Sequence, residues 1–546
     1  MHESLLGDAN RERLRAIQPE TSQKKDLNLQ DISSTLRDAA TPEVSSQPIV
    51  AGYGFVSRSA VSHPQTLHPT CLELFHHVDA LLATDANGQE EQQSTSTQAS
   101  NLAPNRESLH VRSLVDLVAQ KLLQFPSLGN DATIKDSDYA THSLVAEAGL
   151  ALLVIISLFC TSPSEPFLLD DTVLISVVTY TDEDDAWTTK ESSQLAARLL
   201  KANLADDRLD TFLTQRLIQD TLRPLFSKSS TRLTASGRPS QLAQQPASTQ
   251  NRTSLDSAQE REKLQAASSF KWAVMSCSQA TMGRHWPLFL PILLSLAEDH
   301  NTAVRIKGLQ ILGFFLDTCP ANVILDAGVD NVIQDAIFPT LLFLPSTTPE
   351  SESIELLYPA YRVLLRIAQL DPDSKSLRRR RFLDKLLRDG IFVGHFHASE
   401  YPRIVEVLMN ITKDIVSCLG FFSAKHLQNL LRLFASTLSD PFVMGYPPLV
   451  YSTTEALNAT LVNCWPRFSS PGYIDQVIHT ISLCWLNLKS SQLPVEDVDQ
   501  ISAHLIRTST ILHSLWSREG SGPLKGLTAA VQKEPRLAEL FPSILT

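Results

Sequence analysis

The chain is predicted to be all-α, a solenoid of stacked helical hairpins, and three observations carry that expectation. Leucine-rich runs of helical period recur along most of its 546 residues, more than one hydrophobic core usually organises. Glycine is scarce, at 19 residues, and the short turn-punctuated runs of an all-β protein are missing. The stretch His285–Phe315 reads as two helices around a polar turn, with Pro291, Asp299 and Arg305 eight and six residues apart. That is the proline, aspartate, arginine spacing of a HEAT repeat, a hairpin that buries its apolar face only by stacking on neighbours. The fold class is therefore a HEAT-like α-α superhelix, a helical-repeat solenoid, with disordered polar insertions.

Within that hairpin, Pro287 is expected in the first turn of a helix, where a missing N–H costs no bond, and Leu288–Ala297 is apolar on nearly every side and expected to be buried. Glu298 to Thr302 break the pattern and supply capping side chains. In the second helix Val304, Gly308, Ile311, Leu312 and Phe315 form one apolar stripe, while Arg305, Lys307 and Gln310 point elsewhere. Asp299 is expected to cap or bridge the second helix, and Arg305 to carry that polar contact to a neighbouring repeat.

Lys plus Arg total 47 against 59 Asp plus Glu, a net charge of −12. This balance argues against a dedicated nucleic-acid binder, whose affinity rests on phosphate contacts. The cysteines (Cys71, Cys160, Cys277, Cys319, Cys418, Cys464, Cys484) are odd in number and contain no C-x-x-C pair. They read as buried thiols in a reducing compartment. The opening MHESLLGDANRERLRAI has no apolar signal core. The longest apolar run, Leu144–Cys160, is broken by Glu147 and Ser157 and falls short of the about 18 residues of a membrane span, so it is expected as a core helix. A soluble protein of the cytoplasm and/or nucleus is expected.

In chain order, residues 1–60 are polar and uneven, with Pro42, Pro48, Gly52 and Gly54, and read as a mobile arm. Residues 61–226 are expected to form an N-terminal helical-repeat arm, with helices over Leu67–Leu82, Ser108–Phe125 and Tyr139–Cys160 and two more in 189–226. A low-complexity polar loop interrupts it at 84–107. His76 and His77 cannot share a helical face and have no third ligand nearby, so no metal is expected there. Asp170–Tyr180 has the β-branched content of a strand, but its context favours a short buried helix or an extended connector. Asp182, Glu183, Asp184 and Asp185 lack the glycine and the twelfth-position glutamate of a calcium loop and read as a solvated turn. Residues 227–256 are rich in Ser, Thr, Gln and Arg, too polar to offset ordering, and read as a disordered linker.

Residues 257–546 form the C-terminal HEAT-like arm. After a helix holding Phe270, Lys271 and Trp272 and the hairpin come helices over Val332–Phe343, Ser353–Leu370, Ser376–Arg388, Pro402–Leu419 and Leu427–Leu438. Three more follow, through Val450–Cys464, Tyr473–Leu488 and Val495–Arg518. Arg378, Arg379, Arg380 and Arg381 cover all sides of a helix start, which suits a solvated face or an acidic partner better than nucleic acid. Lys425 is a further surface candidate, whereas Trp465, beside a helix-ending proline, is expected to fill core.

The segments LLRDGIFVGHFHASEYPRIVEVLMNI, LGFFSAKHLQNLLRLFASTLSDPF and ALNATLVNCWPRF resemble the Tel-two-interacting protein two family. The resemblance spans residues 265–490, and its most specific blocks are Lys425-His426-Leu427, Asp440-Pro441-Phe442 and Asn463-Cys464-Trp465-Pro466. No residue of the N-terminal half carries it. The resemblance implies an α-solenoid subunit of the Triple-T complex, with Tel-two and Tel-two-interacting protein one as partners. It further implies an adaptor to the heat-shock-ninety chaperone system that matures phosphatidylinositol-kinase-like protein kinases. A generic repeat scaffold, such as a transport-receptor-like or phosphatase-scaffold solenoid, is the alternative.

An enzyme finds little support. There is no G-x-x-x-x-G-K loop, no H-E-x-x-H and no G-x-S-x-G turn, and Gly52-Tyr53-Gly54 is no dinucleotide fingerprint. His395, His397 and Cys418 have the residue types of Cys/His chemistry, but such histidines are ordinarily satisfied or exposed. No catalytic, cofactor-binding or metal-ligating residue is expected.

Overall fold

Helix follows helix along the apolar periodicity, and among the described residues there is no strand. The structure, a computed structural model, describes residues 112, 115–116, 118–124, 136–160, 167–229, 249–373, 375–468, 471–517 and 525–542. The expected mobile arm, the helix Leu67–Leu82 with its histidine pair, Cys71 and the loop 84–107 lie outside them. So do residues 230–248 of the expected linker, whose ends fall in the helices Arg223–Ser229 and Thr249–Ser276. The contacts divide the chain into two units, Met1–Ser295 and Leu296–Thr546.

The first unit holds α1 (Asp136–Cys160), α2 (Asp171–Val178), α3 (Lys190–Asn203), α4 (Asp206–Thr211), α5 (Arg223–Ser229) and α6 (Thr249–Ser276). Between α4 and α5 the chain stays helical over Phe212–Leu222 with wider turns, the Arg223 N–H bonding the Ile218 carbonyl five residues back. The stretch that was ambiguous between strand and helix, Asp170–Tyr180, is helix α2, and Val173, Leu174, Val177 and Val178 are buried. Packing on α3 and α6 decides for helix where β-branching alone could not. Glu147, which breaks the apolar run of α1, is itself buried and accepts the Thr189 hydroxyl at 2.7 Å. Thr189 in turn opens α3 with a reciprocal cap, its Oγ1 accepting from Ser192 N at 3.0 Å while Ser192 Oγ accepts from Thr189 N at 2.8 Å. One carboxylate therefore ties the middle of α1 to the start of α3.

The acidic turn is solvated as expected only at Glu183 and Asp184. Asp182 and Asp185 are buried, and Lys271 on α6 reaches Asp182 at 2.7 Å. The sequence could not pair residues 89 positions apart. Close by, Tyr180 donates to the Leu123 carbonyl at 2.6 Å, which leaves its oxygen to accept from His142 Nε2 at 2.9 Å. Burial lowers the His142 imidazole to about 4 and raises the Tyr180 phenol. The unfolded chain therefore takes up this proton before the folded one does. The stability that His142 contributes is complete above its ordinary value near 6.5 and is lost as pH falls toward 4, on the order of 3 kcal/mol in all. His142→Gln keeps a donor without the titration. Its urea midpoint is expected to fall less than that of the parent between pH 7 and pH 4, and parallel curves would count against the assignment.

Helix α7 (Gln279–Ala297) carries the boundary between units. It starts eight residues before Pro287, with Ser278 Oγ accepting from Thr281 N at 3.1 Å, so Pro287 lies inside the helix and not in its first turn. Pro287 and Pro291 are both exposed. The carbonyls four residues before each, which lose a bonding N–H, are thus on the side where water can serve them. Leu288, Leu290 and Leu294 are only half-buried, less than their composition suggested.

The second unit continues with α8 (Thr302–Thr318), α9 (Ala321–Asp326), α10 (Val329–Ile337), α11 (Glu350–Leu370), α12 (Leu377–Lys385), α13 (Val393–Ala398) and α14 (Pro402–Leu419). After them come α15 (Leu427–Leu438), α16 (Pro447–Asn463), α17 (Pro471–Lys489), α18 (Val495–Ser517) and α19 (Lys525–Lys533). Helices α8, α11, α14, α16 and α18 pack side by side in that order as one layer. The chain returns between them through α10, through α12 and α13, through α15 and through α17, and α15 packs on α17 in this second layer. Successive hairpins stacked this way are a helical-repeat solenoid. At its end Trp485, fully buried, donates to the Arg536 carbonyl at 2.8 Å and pins the last short turn. Cys277, Cys319, Cys464 and Cys484 are buried thiols outside any disulfide, and Cys418 is half-buried. Burial pushes the Cys319 thiol up to about 11 and that of Cys484 up to about 12, away from thiolate chemistry.

Candidate partner-binding surface

The turn between α7 and α8 shows how a repeat holds itself together. Asn301 caps α8, its Oδ1 accepting from Val304 N at 3.1 Å, while Asp299 Oδ1 accepts from Asn301 N at 2.9 Å and so bridges the turn. Arg305 turns back, donating from Nε to the Asp299 carbonyl at 2.9 Å and from Nη2 to the Glu298 carbonyl at 3.2 Å. Its contact with the following hairpin is cation–π, 4.3 Å over the Phe343 ring, and not the polar link expected from spacing. Gly308 faces Leu296 so closely that a Cβ there would stand 2.7 Å from its carbonyl carbon. Lys307 is buried, against the expectation that it points away from the stripe.

The arginine run splits by direction. Arg378 pairs with the buried carboxylate of Asp330 on α10, and Arg379 donates to the Asp371 carbonyl at 3.3 Å. Arg380 lies 4.1 Å over the Phe422 ring, and Arg381 is exposed. Four consecutive arginines thus serve four different surroundings, because consecutive residues of a helix diverge by about 100°.

Lys425 and His426 converge on one carboxylate. Lys425 Nζ pairs with Asp384 Oδ2, and His426 Nε2 lies 2.9 Å from Asp384 Oδ1, with the Phe392 ring edge-on at 6.3 Å. The turn Gly420–His426 is thereby clamped to α12. Asp384→Ala removes both partners and is expected to cost about 2 kcal/mol, since hydrogen bonds to charged groups contribute roughly 1.5–3 kcal/mol. Thermal melting checks it, and a loss no larger than that of Lys425→Ala would place the energy elsewhere. The turn itself needs Gly420, whose φ of +57° and ψ of −137° belong to glycine alone.

Asn463 donates from Nδ2 to the Ala459 carbonyl at 2.8 Å, and Cys464, fully buried, lies 3.1 Å from Ser423 Oγ. The turn Trp465–Arg467 consequently rests on Gly420–His426. Trp465 is 51% exposed and does not fill core as expected. Phe468, three residues on, takes the buried position, because the short turn after Asn463 rotates Trp465 outward. Asp440 caps its own turn, accepting from Phe442 N at 2.9 Å, followed by Pro441 and by an exposed Phe442. His395 is part-buried and its imidazole is lowered by burial, while Cys418 has Gln369 Nε2 at 3.7 Å as a partner. No group of three or more His, Cys, Asp or Glu among the described residues is placed to hold a metal ion. Sequence reading missed Asp330, Asp384, Phe343 and Phe422, whose importance lies in partners about 40 positions away.

Stacked helical hairpins whose side chains lock turn to turn define a helical-repeat protein. The Tti2 family profile matches residues 173–445, half of the chain, and the chain belongs to the Tti2 family, whose members are Triple-T complex components. The match takes in residues 173–264, so the N-terminal half does carry the family, contrary to expectation. It ends at Gly445, leaving Asn463–Pro466 outside. No curated relative matches the chain. Among solved structures it resembles the karyopherin Kap121p bound to Pho4p, at 14% identity and a TM-score of 0.41, covering 89% of this chain and 42% of that one. Kap121p bound to the extreme C-terminus of the protein phosphatase Cdc14p gives 15% identity and the same TM-score and coverage. The chain thus spans less than half of that karyopherin, and at such scores the likeness says nothing of what this chain binds. No helix among the described residues is long and apolar enough to cross a membrane.

Proposed function

We propose that this chain is a non-catalytic adaptor subunit of the Triple-T complex, acting in the cytoplasm and/or nucleus. It binds Tel-two and Tel-two-interacting protein one and, through them, serves the heat-shock-ninety chaperone system in maturing and stabilising phosphatidylinositol-kinase-like protein kinases. The family match over residues 173–445 carries the reading. The described side chains agree with it: Lys425, His426, Asp384, Asn463 and Cys464 hold turns together, as a scaffold requires, and form no set directed at a reacting atom.

The test is purification of the full-length chain from its own cells with identification of stoichiometric partners, followed by its depletion. Recovery with both Triple-T subunits and a fall in kinase abundance on depletion are expected. Recovery without either subunit, or saturable nucleotide turnover lost on a point substitution, would overturn the reading.

A further inference from the structure

Packing accounts for most residues in the clamped turns, but an apolar and basic ridge remains at the solvent edge of the Leu296–Thr546 unit. The turns Gly420–His426 and Trp465–Arg467 lie against each other, joined by the Ser423–Cys464 contact of 3.1 Å. From them Phe421 and Trp465 stand 59% and 51% exposed, and Val462, in the last turn of α16 between them in sequence, is 56% exposed. The ridge is basic at both ends. Arg380 stacks over Phe422, whose ring centroid is 4.1 Å from that of Phe421. Arg381 stands beside Arg380, one helical turn before Asp384, and Arg467 shares the turn of Trp465. Arg381 and Arg467 are both exposed. The nearby carboxylate of Asp384 is taken by Lys425 and His426. Among the described residues no carboxylate pairs with Arg380, Arg381 or Arg467.

We propose that this ridge docks an acidic, amphipathic segment of a partner protein. Apolar side chains of that segment cover Trp465, Phe421 and Val462, and its carboxylates meet Arg380, Arg381 and Arg467. Charge complementarity selects this occupant. On a chain of net charge −12 an acidic partner is repelled by the surface as a whole, so a basic strip beside aromatic anchors offers it a preferred point of attachment. Tryptophan and arginine at the centre of a docking patch also supply most of the binding energy in protein interfaces. That the segment belongs to another Triple-T subunit rests on the function proposed above; the chemistry of the ridge does not.

The full-length chain is compared with Arg381→Gln/Arg467→Gln, Arg381→Glu/Arg467→Glu and Trp465→Ser. These sites are exposed, and thermal melting at the parent's temperature verifies the fold of each. In the first arm, binding to the other Triple-T subunits is followed at low and high salt. Association is expected to slow roughly ten-fold or more on charge reversal, less on neutralisation, with a flattened salt dependence. Trp465→Ser is expected to weaken binding by about ten-fold or more, mainly through faster dissociation. In the second arm the probes are a synthetic helical peptide with Glu on one face and Leu on the other, its Lys counterpart, and phosphatidylserine vesicles. Only the acidic peptide is expected to bind, and its binding is expected to be lost in the charge-reversed variant. If the parent binds the subunits and the variants match it, the ridge proposal fails and the function stands. If the parent binds no subunit, the function fails, and the second arm decides the ridge. Vesicle binding at the ridge, or no binding of the acidic peptide, overturns it.

Discussion

Replacing Lys271 by methionine is expected to destabilise the Met1–Ser295 unit by about 3 kcal/mol or more. Its ammonium lies 2.7 Å from Asp182 Oδ1, and the two side chains are only 15% and 8% exposed. The second acid within reach, Asp184 at 3.8 Å, is 92% exposed and adds little. At this depth the attraction within the pair offsets two desolvations, so losing the cation takes from a buried carboxylate the countercharge that balances its desolvation, which the Asp184 N–H at 3.4 Å does not replace. Lys271→Met combined with Asp182→Leu removes both charges and is expected to recover most of the loss. Hydrogen exchange in Asp171–Val178 and Thr249–Ser276 measures it. Equal protection in the single and double variants would contradict the pairing.

Gly308→Leu is expected to lower stability by at least as much, about 3 kcal/mol, the upper range for overpacking. A Cβ at 308 would meet the Leu296 carbonyl carbon and Cβ at 2.7 Å and the Ala297 nitrogen at 3.0 Å. Two of those three atoms are backbone and cannot rotate away, so Gly308→Ala is already expected to destabilise. Gly313, in the same helix, has nothing within 4 Å of its Cβ position. Gly313→Ala should therefore raise stability by about 0.5–1 kcal/mol, since alanine is the better helix former. Thermal melting of the three variants separates close packing from helix propensity. A melt of Gly308→Leu equal to that of Gly313→Ala would show that the helices do not approach so nearly.

Other residues act through partners that neither local spacing nor composition shows. Arg305 was placed by its spacing, yet its ring partner, Phe343, is 38 residues away in a different hairpin. Trp465 had the features of a core aromatic, and one short turn put Phe468 in its place. The acids at 182–185 looked solvated because their cation is on α6.

Local periodicity determined the helices. Pro402–Leu419 and Leu427–Leu438 end where their apolar stripes and flanking proline or turn residues end, because a helix with one buried face is specified by residues three and four apart. The repeat architecture was legible for the same reason, since the Pro291, Asp299 and Arg305 spacing lies within one hairpin. Tertiary structure decided the remainder: which charges are buried, which of four arginines faces solvent, and which signature residues pack and which project. Those outcomes depend on stacking between hairpins, where partners meet across about 40 positions of chain or more, and no period of 3.6 residues records which neighbour a side chain will find.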